Sequence, residues 1–110
     1  MKNSGHDLII ITTTTGTRED AEKIAAHLVE KRLAACAQVS GPITSFYWWK
    51  DNLEKDQEWR CVIKTLDSKY EEVEKEIKII HPYSVPQIVA VPVRYALQEY
   101  ETWAKDNVRP

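Results

Sequence analysis

His81 and Tyr83, separated only by Pro82, are the side chains of this sequence best suited to chemistry. An imidazole titrates near neutral pH and is a common ligand of transition metals, so His81 is a candidate metal ligand or, alternatively, a general acid or base. The structural alternative is a histidine at the end of a helix whose ring caps carbonyl groups, with Pro82 stopping the helix. One histidine supplies only one of the several ligands that a transition metal site needs, so both hypotheses stay open.

The other histidines and the cysteines form no chelating pattern. Cys36 and Cys61 are not part of a CxxC pair, and both lie among apolar residues, which predicts buried thiols in a reducing cytoplasm. His6 lies in a polar N-terminal tail and His27 on a predicted helix, and neither has a His or Cys three or four residues further on. We therefore predict that both histidines are surface residues.

Aromatic residues are concentrated at Tyr47, Trp48 and Trp49, in a chain with four Trp and five Tyr. These are more large rings than a core of this size easily buries. They predict either a small-molecule pocket between subunits or aromatic packing between subunits.

Lys64 ends an otherwise apolar alternation, so we predict that its side chain points into a cleft beside acidic residues across a hairpin, namely Glu54, Asp56 or Glu58. An ion pair is the alternative explanation for this lysine. Together, Tyr47, Trp49, Lys64 and Tyr83 are the candidate ligand-binding residues of an inter-subunit cleft, and His81 is the candidate metal ligand.

Hydrophobic periodicity predicts the first elements that position these residues. The apolar and β-branched run from Leu8 to Thr15 predicts a central strand. Thr17 and Asp20 have the spacing of a capping box, and an apolar stripe at helical spacing continues to about Arg32, which predicts a helix.

The rest of the chain predicts a hairpin, a helix, a strand and a terminal helix. Residues 33–49 indicate one long strand with an irregularity near Gly41, and residues 50–52 a tight turn into a second strand. Ser68 and Glu71 suggest a second capping box, opening a helix that Pro82 stops. Residues 86–93 indicate a further strand with an unpaired edge or irregular ends, because two prolines interrupt it, and residues 97–103 indicate a short helix.

The order βαββαβ followed by α predicts an α+β fold, a ferredoxin-like sandwich with an antiparallel sheet and two helices on one face. At 110 residues the chain predicts a single domain over residues 1–110, with residues 1–6 as a flexible tail. The second sheet face would remain uncovered, and self-association would cover it.

Charge and motifs argue against several classes of function. A formal net charge of −2 does not favour nucleic acid as a partner, and no apolar run is long enough to span a membrane. With three glycines the chain has no phosphate-binding loop, and no nucleophile stands beside a base in a recognisable pattern. We therefore predict a binding protein and not an enzyme.

Three segments resemble the CutA family: RLAACA at residues 32–37, SFYWW at 45–49 and HPYSVP at 81–86, with IKT at 63–65 in addition. Their order and spacing fit the family across nearly the whole chain. The resemblance implies a ferredoxin-like fold, a homotrimer similar to the PII signalling proteins, a cytoplasmic location and a role in tolerance to copper and other divalent cations. It also implies Cu²⁺ or another divalent cation as the possible bound species.

The sequence departs from the family pattern at several positions. Asp51 and Asn52 stand where relatives often have glycine in the hairpin turn. Copper ligands proposed in some bacterial relatives are a Cys, a His and an acid, and the corresponding residues here are Thr13, Ile80 and Gln87. The alternatives to a cation-binding trimer are a PII-like signalling or protein-interaction module with incidental metal binding, and an enzyme that uses His81.

Overall fold

The structure, a computed structural model that describes residues 7–110, is a four-stranded antiparallel sheet with three α-helices. The elements are β1 (Leu8–Thr15), α1 (Arg18–Glu30), β2 (Cys36–Trp49), β3 (Asn52–Leu66), α2 (Tyr70–Ile80), β4 (Val89–Pro92) and α3 (Gln98–Asp106). The strand order is β2-β3-β1-β4. The predicted element order and α+β arrangement are confirmed, and the predicted tail of residues 1–6 lies outside the described residues.

The core lies between the sheet and the first two helices. β1 is a central strand, as predicted, because it pairs with both β3 and β4. Its Ile9 and Ile11 are buried with Cys61 and Ile63 of β3 against apolar residues of α1 and α2, namely Ala21, Ile24, Leu28, Val73 and Ile77. Burial raises the pKa of the Cys61 thiol to about 12, so this cysteine is a packing residue, as predicted.

The second sheet face is covered only in part. At one end α3 packs there, where Leu8 and Ala35 contact Ala104 and Val108 in a small separate core. Elsewhere on this face Ile10 stands opposite Val91, and Val91 of β4 is 55% exposed. An apolar half-exposed face therefore remains, as the sequence predicts. No helix within residues 7–110 has the length and apolar character needed to cross a bilayer.

The two long helices begin differently. Thr17 is the N-cap of α1, and its hydroxyl oxygen accepts a hydrogen bond from the Asp20 backbone N–H at 3.1 Å, which is one of the two hydrogen bonds of the predicted capping box. The second capping box, Ser68 with Glu71, is wrong: a short 3₁₀ turn, Asp67–Lys69, precedes α2, and the helix has no side-chain cap. Ser68 lies inside that turn, so it does not occupy the N-cap position of α2.

Thr17→Ala is expected to lower the free energy of unfolding by about 1 kcal/mol, because the substitution leaves a helix N–H without its acceptor. Urea denaturation of the wild type and the variant measures the change. Thr17→Ser is the matched control, since it keeps the hydroxyl oxygen. A loss in Thr17→Ser equal to that in Thr17→Ala would contradict the capping explanation.

The β2–β3 hairpin is the longest feature of the sheet. Lys50 and Asp51 form its turn with φ of 50° and 66°, the left-handed conformation that a two-residue hairpin loop requires. The predicted irregularity is confirmed as a register shift between Ser40 and Ile43, which includes the cis Gly41–Pro42 bond. The predicted strand over residues 86–93 is shorter in the structure, Val89–Pro92, and it lies at the sheet edge.

Candidate functional site

A cavity of about 570 Å³ lies between the outer half of the hairpin and the loop after α2. This volume is within the range of roughly 300–1,000 Å³ that is common for ligand pockets. The lining residues come from the end of β1, from β2, from β3 and from the loop after α2: Thr14, Ser45, Phe46, Tyr47, Trp48, Trp49, Glu58, Tyr83, Ser84, Val85 and Gln87. Three of the four predicted ligand-binding residues, Tyr47, Trp49 and Tyr83, are therefore in one cavity.

Aromatic residues of β2 line the hairpin side of this cavity. Because side chains alternate along a strand, Tyr47 and Trp49 share the face of Ser45, and Phe46 and Trp48 lie on the opposite face. Phe46 is 65% exposed and Trp48 is 71% exposed, although both are large apolar residues. Tyr47 and Trp49 are also exposed. Exposed aromatic surface of this extent is typical of interaction or ligand sites.

Glu58 is the polar centre of the cavity. Its side chain is buried, with the residue 8% exposed, and it accepts hydrogen bonds from the Ser45 hydroxyl at 2.7 Å and from the Tyr83 hydroxyl at 2.8 Å. Each carboxylate oxygen thus has one neutral hydroxyl donor. Burial, and next the hydrogen bond to Glu58, raise the pKa of Tyr83 above its usual value. The Tyr83 hydroxyl therefore stays protonated and acts as a donor.

Asp56 is a second carboxylate beside the first. It lies opposite Ser45 in the strand register, two residues before Glu58, and the Tyr47 hydroxyl donates to it. This hydrogen bond is the main reason why the pKa of Tyr47 is raised to about 12. The site is therefore anionic, aromatic and rich in hydroxyl groups that remain protonated at neutral pH.

Pro82 and His81 position the Tyr83 side of the site. A residue before proline favours an extended backbone, and His81 has φ −74° and ψ 134°, so α2 ends at Ile80. The His81 ring then donates from Nε2 to the Thr14 carbonyl at 2.8 Å and accepts at Nδ1 from the Tyr83 N–H at 3.1 Å. Because a carbonyl only accepts, this arrangement holds the ring as the neutral Nε2–H tautomer.

Burial lowers the pKa of the His81 imidazole, and this effect exceeds the opposing effect of the hydrogen bond to Thr14. His81 thus joins the end of α2 to β1, and its ring caps a strand carbonyl and not those of its own helix. The metal hypothesis for His81 stays a prediction. A metal bound through either ring nitrogen would break one of these two hydrogen bonds.

The residues at the copper-ligand positions do not fit a copper ion. Thr13 is fully buried in β1, and the Thr14 hydroxyl donates to Gln87 Oε1 at 3.4 Å. Ile80 packs against the core and has no donor atom in its side chain. Within residues 7–110 no group of three or more His, Cys, Asp or Glu side chains is arranged to hold a metal ion.

Lys64 lies elsewhere, and its predicted position beside the acidic residues is wrong. The register places Glu58 opposite Ile43 and Lys64 opposite Cys36, and six residues of extended strand separate the two by about 20 Å. Lys64 Nζ donates to Gln38 Oε1 at 2.6 Å. It lines a second cavity of about 380 Å³ near the opposite end of β1 and β3, with Leu8, Ile10, Val93, Tyr95, Ala96, Leu97 and Tyr100.

Two further predictions about ligating side chains need correction. His27 is more than a surface residue, because its ring lies 2.6 Å from Glu76 Oε1 and so links α1 to α2. Cys36 is half-buried, with its Sγ 3.6 Å from the Tyr100 hydroxyl, and so is less buried than predicted. His6 lies outside the described residues.

Ser45 was not among the predicted site residues, and Asp56 and Glu58 were predicted only as partners of Lys64. The signal for the carboxylates was present in the sequence, because Glu54, Asp56 and Glu58 occupy every second position of β3. Tyr83 reaches Glu58 only through the tertiary fold.

The antiparallel sheet, with two helices on one face and an aromatic, carboxylate-bearing cleft, defines a ferredoxin-like α+β protein with a candidate ligand site. The family model for the CutA1 divalent ion tolerance protein matches residues 9–107. The chain belongs to this CutA1 family.

Similar proteins of known name span almost the same length. The divalent-cation tolerance protein CutA of Archaeoglobus fulgidus is 40% identical over 103 residues, which cover 94% of this chain and 98% of that protein. The structure of the Thermus thermophilus divalent cation tolerance protein is 35% identical with a TM-score of 0.90, over 93% of this chain and 99% of that one. CutA1 from Oryza sativa has a TM-score of 0.92 at 28% identity, over 96% and 97% of the two chains.

Proposed function

We propose that this protein acts in tolerance to divalent cations as a non-enzymatic homotrimer, and that it binds a cation or a small ligand at clefts between subunits. Family membership supports the tolerance role, because the matching relatives are named for it. The observation that carries the binding site is Glu58, a buried carboxylate held by two hydroxyl groups in an aromatic cavity.

The same geometry favours binding over catalysis. A nucleophilic or basic tyrosine needs a lowered pKa, whereas the pKa values of Tyr47 and Tyr83 are both raised. The ring of His81 is already engaged at both nitrogens. Hydroxyl groups that stay protonated beside carboxylates orient a ligand and do not attack it.

The donor chemistry of the cleft bears on the choice of cation. Carboxylate and hydroxyl oxygens suit hard cations, whereas copper prefers imidazole and sulfur ligands. Copper, which the family resemblance implies, would have to use these oxygens or displace a hydrogen bond of His81. Titration with Cu²⁺ and Zn²⁺ in the absence of reducing agents tests this, and saturable binding at a defined ratio per subunit is the result that supports direct metal binding.

Three exposed surfaces support the homotrimer. Val89 and Val91 leave an apolar sheet face half exposed, and the hairpin aromatics are exposed as well. β2 and β4 are the two edges of the sheet, and an unpaired edge invites pairing with another chain. A closed ring of subunits would cover these surfaces and convert the hairpin cavity into a cleft between subunits.

Val91→Glu is expected to convert the trimer to monomer, because it places a charge on the face proposed to be buried. Mass measurement by light scattering at micromolar concentration tests this, and the wild type should have three times the 12.7 kDa chain mass. The wild-type melting temperature should also rise with protein concentration. Ile79→Glu, at a 68% exposed position on α2, is the matched control and should stay trimeric.

Growth in elevated Cu²⁺ tests the tolerance role. In cells that lack their own CutA-like protein, the wild-type chain and Ile79→Glu should restore growth, and Val91→Glu should not. A wild-type monomer would contradict the assembly, and a failure of the trimeric wild-type chain to restore growth would contradict the tolerance role.

The proposed location is the cytoplasm, although relatives are named otherwise: the Archaeoglobus fulgidus structure is described as periplasmic and a rice relative as chloroplastic. A second candidate function is a PII-like signalling or interaction module. The observation that favours it is the hairpin end, where Trp48 and Leu53 stand opposite each other and are 71% and 63% exposed. Recovery of a partner protein that Trp48→Ser abolishes, with trimer mass retained, would support this module.

A further inference from the structure

We propose that the ligand of the hairpin cavity is a small organic cation, an alkylammonium or quaternary ammonium group, held between the aromatic side chains of β2 and the carboxylate of Glu58, with Asp56 beside the cavity. This inference rests on the proposed function, which makes the cavity a ligand site, and it names the chemical class of the ligand. Three features of the cavity support this inference. They are a buried carboxylate without an ion pair, aromatic walls, and a side-chain arrangement that suits an organic cation better than a metal ion.

Asp56 and Glu58 form no ion pair with the described side chains, although Lys50 and Lys55 lie near the aromatic rings of the hairpin. Asp56 and Glu58 accept hydrogen bonds from tyrosine and serine hydroxyls, which are neutral. Within residues 7–110 no lysine, arginine or histidine forms an ion pair with either carboxylate. Buried charges are normally paired, so a buried carboxylate with hydroxyl donors alone favours a cation from outside.

The aromatic walls favour a cation of low charge density. A cation is attracted to the face of an aromatic ring, and aromatic cages recognise quaternary ammonium groups in this way. The hairpin already shows the interaction, because Lys50 Nζ lies 5.8 Å from the centre of the Trp49 ring and Lys55 Nζ lies 5.8 Å from that of Phe46. Tyr47 and Trp49 lie on the hairpin face that carries Glu58, because side chains alternate along a strand, and they supply the aromatic wall of the cavity.

The geometry favours an organic cation over a metal ion. A divalent metal needs several ligand atoms around one point, and the described residues offer no group of three or more metal-binding side chains. An ammonium group with methyl substituents needs only a diffuse negative charge and apolar walls. A volume of about 570 Å³ leaves room for such a group with its substituents.

Choline and its neutral isostere 3,3-dimethylbutan-1-ol are the matched probes, because they have the same shape and differ in charge. In calorimetric or ligand-observed NMR titrations of the full chain, choline is expected to bind about tenfold or more tightly than the isostere. Equal binding of the two probes would overturn the inference, since the cavity would then recognise shape and not charge.

Two variants assign the binding to this cavity. Glu58→Gln removes the buried charge and Trp49→Leu removes a ring on the same face of the hairpin, and each is expected to weaken choline binding by about tenfold. Glu71→Gln, an exposed position on α2, makes the same charge change outside the cavity and should bind choline like the wild type. Because Trp49 lies outside the core, Trp49→Leu tests the site even if Glu58→Gln fails to fold, and its trimer mass is checked before the titration. An equal loss in Glu71→Gln would contradict the assignment.

The failure of this inference is distinguishable from the failure of the proposed function. A trimer that confers Cu²⁺ tolerance but does not bind choline retains the proposed function and overturns the organic ligand. Choline binding that both cavity variants lose, in a chain that confers no tolerance, supports the ligand class and overturns the tolerance role.

Discussion

Gly41→Ala is expected to lower the free energy of unfolding by about 3 kcal/mol, because alanine meets both a steric and a backbone conflict. A Cβ atom at position 41 would lie 2.6 Å from Cδ1 and 2.8 Å from Cγ of Trp59, and 3.1 Å from the Trp59 Cα. The last atom belongs to the backbone of the neighbouring strand, so the conflict is not relieved by a side-chain rotation alone. Gly41 also has φ of 155°, which residues with a side chain rarely adopt.

Guanidinium denaturation of wild type and variant measures this change, with the slope of the transition checked for two-state behaviour. Gly16→Ala is the matched control, because the nearest atom to its Cβ would be the Tyr83 hydroxyl at 3.4 Å, an ordinary contact. We expect Gly16→Ala to change stability by less than about 1 kcal/mol. If the two variants lost the same stability, close packing at the hairpin irregularity would not be the cause.

His81→Gln is expected to destabilise the protein at pH 7 by about 2–4 kcal/mol, since the Thr14 carbonyl and the Tyr83 N–H would lose well-placed partners in a buried region. The same substitution should reduce the dependence of stability on pH. The folded-state pKa of His81 lies below the unfolded value. The unfolded chain therefore binds a proton at His81 more readily than the folded chain does. The stability that neutral His81 contributes is for this reason fully present above the unfolded pKa of about 6.5.

Stability from His81 should thus fall as the pH drops below about 6.5 and through the folded pKa. A protonated ring would also carry a proton on Nδ1, facing the Tyr83 N–H. Urea denaturation from about pH 7.5 to about pH 5 measures this effect in the wild type, in His81→Gln and in the control His27→Gln. His81→Gln should lose part of the pH dependence of stability, and the control His27→Gln should keep that part. If the stability of His81→Gln depended on pH as strongly as that of the wild type, groups other than His81 would be responsible.

Local patterns predicted most of the fold because they act within a few residues. The β-branched run of β1, the Thr17 cap and the left-handed turn residues Lys50 and Asp51 each form the expected structure. The predictions that failed depended on neighbouring segments. Ser68 is inside a 3₁₀ turn and not at a helix N-cap. The last strand pairs with β1 only over Val89–Pro92, a shorter stretch than the predicted residues 86–93.

The site was predictable where composition carried the signal. The aromatic run around Tyr47 and the family-like segment around Tyr83 indicated a cleft, and both lie at one cavity in the structure. Lys64 was wrongly predicted to lie in this cleft, because a sequence pattern gives the alternation of side chains but not the register of the strands. The observed register places Lys64 far from Glu58. Glu58 meets Ser45 across the hairpin and Tyr83 across the fold, contacts that no local pattern predicts.

The position of β1 in the sheet has a consequence for synthesis on the ribosome. β1 is made before both of its hydrogen-bonding neighbours, β3 and β4, and β4 ends at Pro92. The apolar segment Leu8–Ile11 therefore leaves the exit tunnel long before either flank can be closed. A nascent chain halted before Val89 keeps one side of β1 open, and such a strand pairs readily with a neighbouring copy on the same messenger. Chaperone demand during translation should accordingly end only when the final short strand has emerged.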